Sequence, residues 1–195
     1  MKDVLLLLTD GFADWEASYV TAVLNKPGTG FRIRTIALDL EPKVSMGGLR
    51  VLPEYSVKDY QPDAKPAMLI LPGGTTWLEE RNVPVKELIA FCVRESVPVA
   101  AICDATTFLA RYGFLDHDRH TGNSLAYLKE GAPEYQGEAR YVDAQSVSDG
   151  NWITANGTAA VEFAAHILEK LGVMEGEGLQ EWYTIFKKGY APQPE

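Results

Sequence analysis

Residues 98–111, PVAAICDATTFLAR, carry the groups best placed for chemistry. A short apolar run ends at Cys103, Asp104 follows at once, and an Ala/Thr/Leu stretch able to continue as a helix begins there. A strand, a sharp turn and a helix start set a thiol above the carboxyl end of its strand, facing the unsatisfied N–H groups and positive dipole end of the next helix. Such a place favours thiolate over thiol, and a thiolate attacks carbonyl carbon. The alternative is a buried strand-end cysteine, because free Cys packs as a small hydrophobe. Two other stretches, at residues 14–16 and 72–74, end strand-like runs in the same manner.

The elements that must position these groups read as follows. Residues 4–8 are continuously apolar and bounded by Thr9, Asp10 and Gly11, the pattern of a strand buried on both faces. Asp14 is placed to cap the next helix, whose apolar positions Trp15, Tyr19, Ala22 and Val23 recur at helical spacing. Residues 31–38 form a second strand, with Arg32 and Arg34 turned to a wet face near an edge. Residues 44–52, broken by Gly47 and Gly48, read as a small hairpin. A proline-rich spacer at 62–66 leads into a third buried strand at 67–71, which ends in Pro72, Gly73 and Gly74. Residues 84–94 form a helix with Val85, Leu88, Ile89 and Cys92 inward, and residues 97–102 form the strand that delivers Cys103.

Beyond the thiol, residues 115–121 hold a turn with room for a brief strand, 124–129 a short helix, 141–148 a strand and 152–154 another after a Ser-Asp-Gly-Asn turn. A helix over 156–171 is stopped by Gly172. The alternation predicts a mostly parallel sheet covered on both sides. Residues 175–190 carry Leu179, Trp182, Ile185 and Phe186 on one helical stripe, suited to packing on the same domain, to a dimer contact or to a lid. The division expected is therefore an α/β domain over residues 1–172 and a helical extension over 173–195.

Composition narrows the function classes. With 27 acidic against 18 basic residues in 195, the formal charge is -9, which argues against a nucleic-acid or anionic-membrane surface. Cys92 and Cys103 fit no metal spacing and suit free thiols in a reducing compartment. No dinucleotide or phosphate-loop glycine pattern occurs, so no cofactor or metal is expected. His117 and His120 fall in a polar loop with Asp116, Asp118 and Arg119, and His166 falls in a helix. The apolar run at the amino terminus is short for a secretory signal, and no stretch approaches a membrane span, so a cytoplasmic protein is expected.

Four segments together resemble the ThiJ/PfpI superfamily, a group related to class I glutamine amidotransferases: VLLLLTDGFADWE, MLILPGG, PVAAICDAT and DGNWITANGTAAVEFAAHIL. The resemblance covers nearly the whole chain and implies a three-layer α/β/α sandwich, flavodoxin-like, assembled as a homodimer. It also implies that Cys103 is the nucleophile and that Glu16 is the acid hydrogen-bonded to it. Gly73 and Gly74 would then supply N–H groups for an oxyanion site. An ionised Glu16 opposes a thiolate by like-charge repulsion, so it helps only by holding and transferring a proton.

Two positions depart from the family pattern. Protease-like members carry histidine directly after the cysteine, where this chain has Asp104; deglycase-like members have a histidine in the segment that here reads HTGNS, where this chain has Asn123. Peptidase activity is therefore not expected, because a Cys-His pair needs the imidazole. Asp104 is either a substitute base turned toward the thiol or a cap for the following helix, and Thr106 and Thr107 either compete for that capping or line the pocket with Asn123 and His120. The leading expectation is a Cys-dependent hydrolase-like or aldehyde-processing protein acting on a small carbonyl or amide. The alternatives are a non-catalytic redox-sensing dimer and a glutamine amidotransferase-like protein.

Overall fold

In a computed structural model, residues 1–60 and 65–190 are described. The elements run β1 (Lys2–Leu7), α1 (Asp14–Leu24), β2 (Phe31–Ala37), β3 (Lys43–Val44), β4 (Arg50–Val51), β5 (Tyr55–Ser56), β6 (Met68–Leu71), α2 (Val85–Arg94) and β7 (Val99–Ile102). Then come α3 (Asp104–Arg111), α4 (Leu125–Gly131), β8 (Ser146–Asp149), β9 (Trp152–Ala155), α5 (Ala160–Lys170) and α6 (Gly176–Lys188). Seven strands form one sheet in the order β5-β2-β1-β6-β7-β9-β8. Every neighbouring pair is parallel except β8 with β9.

The apolar strands at the centre explain the layers. Side chains alternate across a pleated strand, so Leu5, Leu7, Leu69, Leu71, Val99 and Ala101 face α2, α3 and α4, meeting Leu88, Ile89, Phe108 and Leu128. Val4, Met68, Ile70, Ala100, Ile102 and Ile153 face α1, α5 and α6, meeting Val20, Phe163, Ile167 and Trp182. The result is the three-layer α/β/α sandwich with a mostly parallel sheet. At roughly 25 cal/mol per Å² of apolar surface removed from water, these two faces supply the main drive for folding. α6 docks on its own chain through Trp182, whose ring meets Tyr19 edge-on at 6.5 Å.

Some boundaries differ from the expected ones, each for a local reason. The hairpin at 44–52 is present as antiparallel β3–β4, set apart from the main sheet. The strand read at 141–148 is confined to Ser146–Asp149, because Tyr141 closes a tight turn onto the Glu138 carbonyl and pairs only locally with His120. The helix read from 156 starts at Ala160, since the Asn156 side chain accepts the Thr158 N–H and holds a turn there. The spacer read at 62–66 falls largely outside the described residues, as do the last five positions of the 173–195 extension. Among the described residues, no helix is long and apolar enough to cross a membrane.

Candidate active site

β7 ends at Ile102 and α3 begins at Asp104, so Cys103 alone makes the turn between them, with φ 59° and ψ -129°. A side-chain-bearing residue in that region is strained, and the strain is sustained by bonds on both sides. The Cys103 N–H donates to the Ala155 carbonyl of β9 at 3.0 Å, while its own carbonyl accepts the Thr106 N–H at 3.0 Å and the Thr106 hydroxyl at 2.6 Å. This is the geometry of a nucleophile elbow, with the side chain thrown up at the carboxyl end of the sheet.

α1 supplies the partner. Its inward stripe is Glu16, Val20 and Val23, one step round from the expected stripe, and Trp15 is 47% exposed. Glu16 is fully buried; its Oε2 accepts the Gly73 N–H at 2.5 Å, its carboxyl lies beside the Cys103 thiol, and its Oε1 has no hydrogen-bond partner among the described residues. Burial raises the Glu16 pKa to about 7 against the pull of the Gly73 N–H and the neighbouring Cys103 thiol. Burial, with the Glu16 charge next, raises the Cys103 thiol to about 12, opposed by hydrogen bonds from Asn123 and the Asp104 N–H. The thiolate bias expected of a helix start is thus overcome: desolvation and a facing carboxylate outweigh the N–H groups of α3.

Asn123 completes the constellation. Its Nδ2 donates to Cys103 Sγ at 3.4 Å and its Oδ1 accepts the Gly157 N–H at 2.9 Å, so one amide ties the thiol to the loop after β9. Gly157 is a site residue that sequence reading passed over, although its Asn-Gly-Thr turn directly follows a buried strand. The Trp15 indole Nε1 donates to the Gly157 carbonyl at 3.3 Å.

The remaining expected residues are placed differently. Asp104 does not cap α3, whose N-cap is Cys103 without a side-chain bond; its carboxylate instead accepts the Tyr127 hydroxyl at 2.6 Å. Asp14 likewise is not the N-cap of α1, which is Ala13; its carboxylate accepts the Gly47 N–H at 2.7 Å and anchors the hairpin. Gly73 is not free to bind an oxyanion, because its N–H is committed to Glu16. Gly74 bridges Phe12 through two bonds made by its neighbours, Ala13 N–H to Gly73 O and Thr75 N–H to Gly11 O, which leave its own N–H out.

Thr106 is fully buried and buttresses the elbow instead of lining a pocket, and the buried Thr107 hydroxyl has no partner among the described residues. His120 does not turn to the thiol: it is fully buried, with Nδ1 on the Asp118 carbonyl at 2.8 Å and Nε2 on the Tyr135 hydroxyl at 2.5 Å. Among the described residues, no cluster of His, Cys, Asp and Glu can hold a metal.

The model of the DJ-1/PfpI family matches residues 2–170. The chain is 33% identical over 192 residues to the uncharacterized protease YoaZ of Bacillus subtilis, covering 95% of this chain and 91% of that one. It is 26% identical over 156 residues to a deglycase of Thermococcus kodakarensis, covering 78% of this chain and 88% of that one. The crystal structure of a thiJ/pfpI family protein from Bacillus anthracis superimposes with a TM-score of 0.91 at 38% identity, covering 97% of this chain and 92% of that one.

Proposed function

Since the chain belongs to the DJ-1/PfpI family, we propose that it is a Cys103-dependent enzyme that processes a small aldehyde or related carbonyl compound. The observation that carries this reading is the half-buried thiol beside a buried carboxyl at a strained elbow, with an amide in the place of an imidazole. As Sγ bonds to the carbonyl carbon, the thiol proton passes to the Glu16 carboxylate and the C=O π-bond collapses onto oxygen. Glu16 then returns the proton to that oxygen, giving a neutral thiohemiacetal. A carboxyl with a pKa of about 7 suits both directions of this transfer near neutrality. The Gly74 N–H is the backbone donor left for the developing charge.

The same geometry disfavours the other chemistries. Peptide cleavage and ammonia release by a Cys-His pair depend on an imidazole at the thiol, and among the described residues none bonds it. A raised thiol is a poor target for oxidants in the resting state, and the proposed attack on a carbonyl escapes the same penalty because Glu16 takes the thiol proton as the C–S bond forms. The homodimer implied by the family resemblance belongs to this proposal; Met46, Leu49 and Leu52, exposed on or beside the hairpin that Asp14 anchors, are the apolar groups such an interface would cover.

The test is a parallel screen of small aldehydes, glutamine and unstructured peptide with the parent protein and Cys103→Ser. Aldehyde consumption lost in the variant, with no ammonia and no peptide cleavage, is the expected result. Cys103-dependent ammonia release or peptide cleavage would replace this reading. Sedimentation showing a single 21.5 kDa species at micromolar concentration would remove the dimer.

A further inference from the structure

β9 is followed by Asn156 and Gly157, and among the asparagines of the chain Asn156 alone precedes a glycine. That pair has a chemistry of its own. The glycine nitrogen can attack the side-chain amide carbon, expel ammonia and close a cyclic imide. Water then opens the ring to aspartate or to isoaspartate, in which the main chain runs through the side-chain carbon. Glycine favours the closure because no Cβ crowds its nitrogen.

The fold prepares one half of this reaction and restrains the other. Asn156 Oδ1 accepts the Thr158 N–H at 3.0 Å and the Thr158 hydroxyl at 2.7 Å. Two donors on one amide oxygen polarise the carbonyl and stabilise the negative charge that grows there when a nitrogen adds. Asn156 Nδ2, the group that must leave, has no hydrogen-bond partner among the described residues. Asn156 and Gly157 are only half-buried, so water reaches the loop.

The nucleophile is held back. The Gly157 N–H donates to Asn123 Oδ1 at 2.9 Å, and that proton must be lost for the nitrogen to add. Its loss costs the bond and leaves a nitrogen lone pair facing an amide oxygen. The main chain around the pair is fixed as well. The Asn156 N–H donates to the Gln145 carbonyl at 3.1 Å, the Asn156 carbonyl accepts the Ala159 N–H at 3.0 Å, and the Gly157 carbonyl accepts the Trp15 indole N–H at 3.3 Å. Of these restraints, only the Asn123 bond engages the attacking atom.

We propose that Asn156 is a self-modification site, converted through an imide with Gly157 to aspartate and isoaspartate, and that the Asn123 amide sets the rate. The bond from Gly157 N to Asn156 Cγ forms, the Cγ–Nδ2 bond breaks, and the Gly157 proton departs with Nδ2 as ammonia. One water then splits the imide, so the sequence consumes no oxidant or reductant. The outcome reaches the thiol, whatever that thiol reacts with. A Cβ on Gly157 would lie 2.9 Å from Cys103 Sγ, so the extra main-chain carbon of isoaspartate, placed just before Gly157, displaces one wall of the site. Either product also adds a carboxylate to the same loop.

The experiment incubates the parent protein, Asn123→Ala and Trp15→Phe at mildly alkaline pH, beside a peptide of residues 152–161 that gives the unrestrained rate. Ammonia release, peptide mapping and iodoacetamide labelling of Cys103 are followed. Conversion in the parent is expected at Asn156, slower than in the peptide, with Cys103 labelled more slowly in the isoaspartate fraction. Asn123→Ala should convert about tenfold faster than the parent, the factor for about 1.4 kcal/mol, which one hydrogen bond supplies. Trp15→Phe, which frees the glycine carbonyl but not its nitrogen, should keep the parent rate. Parent conversion as fast as the peptide's, no conversion of Asn156 in the parent, equal rates in the parent and folded Asn123→Ala, or equal acceleration by Trp15→Phe would each overturn the proposal. The position of conversion and the labelling that follows it are read on the parent, so a variant that fails to fold leaves those refutations standing.

Discussion

The Glu16 carboxyl and the Cys103 thiol meet over the bare backbone of Gly73. A Cβ built on that glycine would lie 2.6 Å from Cys103 Cβ and 2.8 Å from Glu16 Oε2, so the two groups approach each other because no side chain stands between them. Gly157 guards the other side, where a Cβ would lie 2.9 Å from Sγ.

The pair makes stability depend on pH in a definite direction. Glu16 has an ordinary value of 4.5 and is raised to about 7 by burial, so between those values the folded protein holds a proton that the unfolded chain has lost. Stability therefore falls as pH rises through that window, by on the order of 3 kcal/mol in total. Glu16→Gln should flatten this dependence, as measured by urea melts below pH 4.5 and above pH 7. An unchanged pH slope in the variant would show that Glu16 does not carry the effect.

The same substitution separates nucleophilicity from turnover. Removing the Glu16 charge deletes the second-largest cause of the raised Cys103 pKa, so alkylation of Glu16→Gln should set in at lower pH than in the parent. Aldehyde turnover should nevertheless fall, by about 10²-fold or more, because an amide cannot carry the proton. Rates of iodoacetamide labelling against pH, in a Cys92→Ser background, check the first half.

Gly157→Ala tests the open side of the thiol. Gly157 has no left-handed backbone to strain, so the variant should fold, at a cost of about 1–3 kcal/mol for crowding. It should block Cys103 alkylation and turnover together. Alkylation at the parent rate would mean that the loop after β9 shifts freely and does not shape the site.

Asn123→Asp keeps the acceptor for the Gly157 N–H but removes the donor to Sγ and adds a negative charge. Cys103 should then be harder to ionise and its labelling slower at every alkaline pH, while Asn123→His would place an imidazole at this position. A labelling profile of Asn123→Asp that overlays the parent would show that the 3.4 Å contact has no hold on the thiol.

Strain at the elbow predicts an inverted glycine effect. Glycine usually destabilises, yet at φ 59° and ψ -129° it relieves a conformation that costs a side-chain-bearing residue on the order of 1–3 kcal/mol. Cys103→Gly should be more stable than Cys103→Ala by about 1 kcal/mol, read from paired denaturant melts.

The sheet was legible because β1, β6 and β7 are continuous apolar runs, which only a strand covered on both faces explains. The elbow was legible because a thiol followed one such run. What escaped was set by contacts that leave no mark in a pattern of apolar residues. Periodicity put Trp15 on the inner stripe of α1, but the Gly73 N–H, 57 positions away, rewards burial of Glu16 instead. Gly157 has no side chain for a pattern to count. His120 lies three residues from Asn123 and was read toward the same pocket, yet the chain turns it back onto Tyr135.

The bond from Trp15 to the Gly157 carbonyl joins residues 142 positions apart, close to the first and last elements of the sandwich. Closing so long a loop is slow, because its entropy cost falls due before the contacts it brings can repay it. No fragment formed early, whether β1 with α1 or β7 with α3, contains both walls of the site. During refolding, protection of Cys103 from a thiol reagent should accordingly appear with the last kinetic phase, after most helical signal has returned, which makes this one thiol a clock for completion of the whole fold.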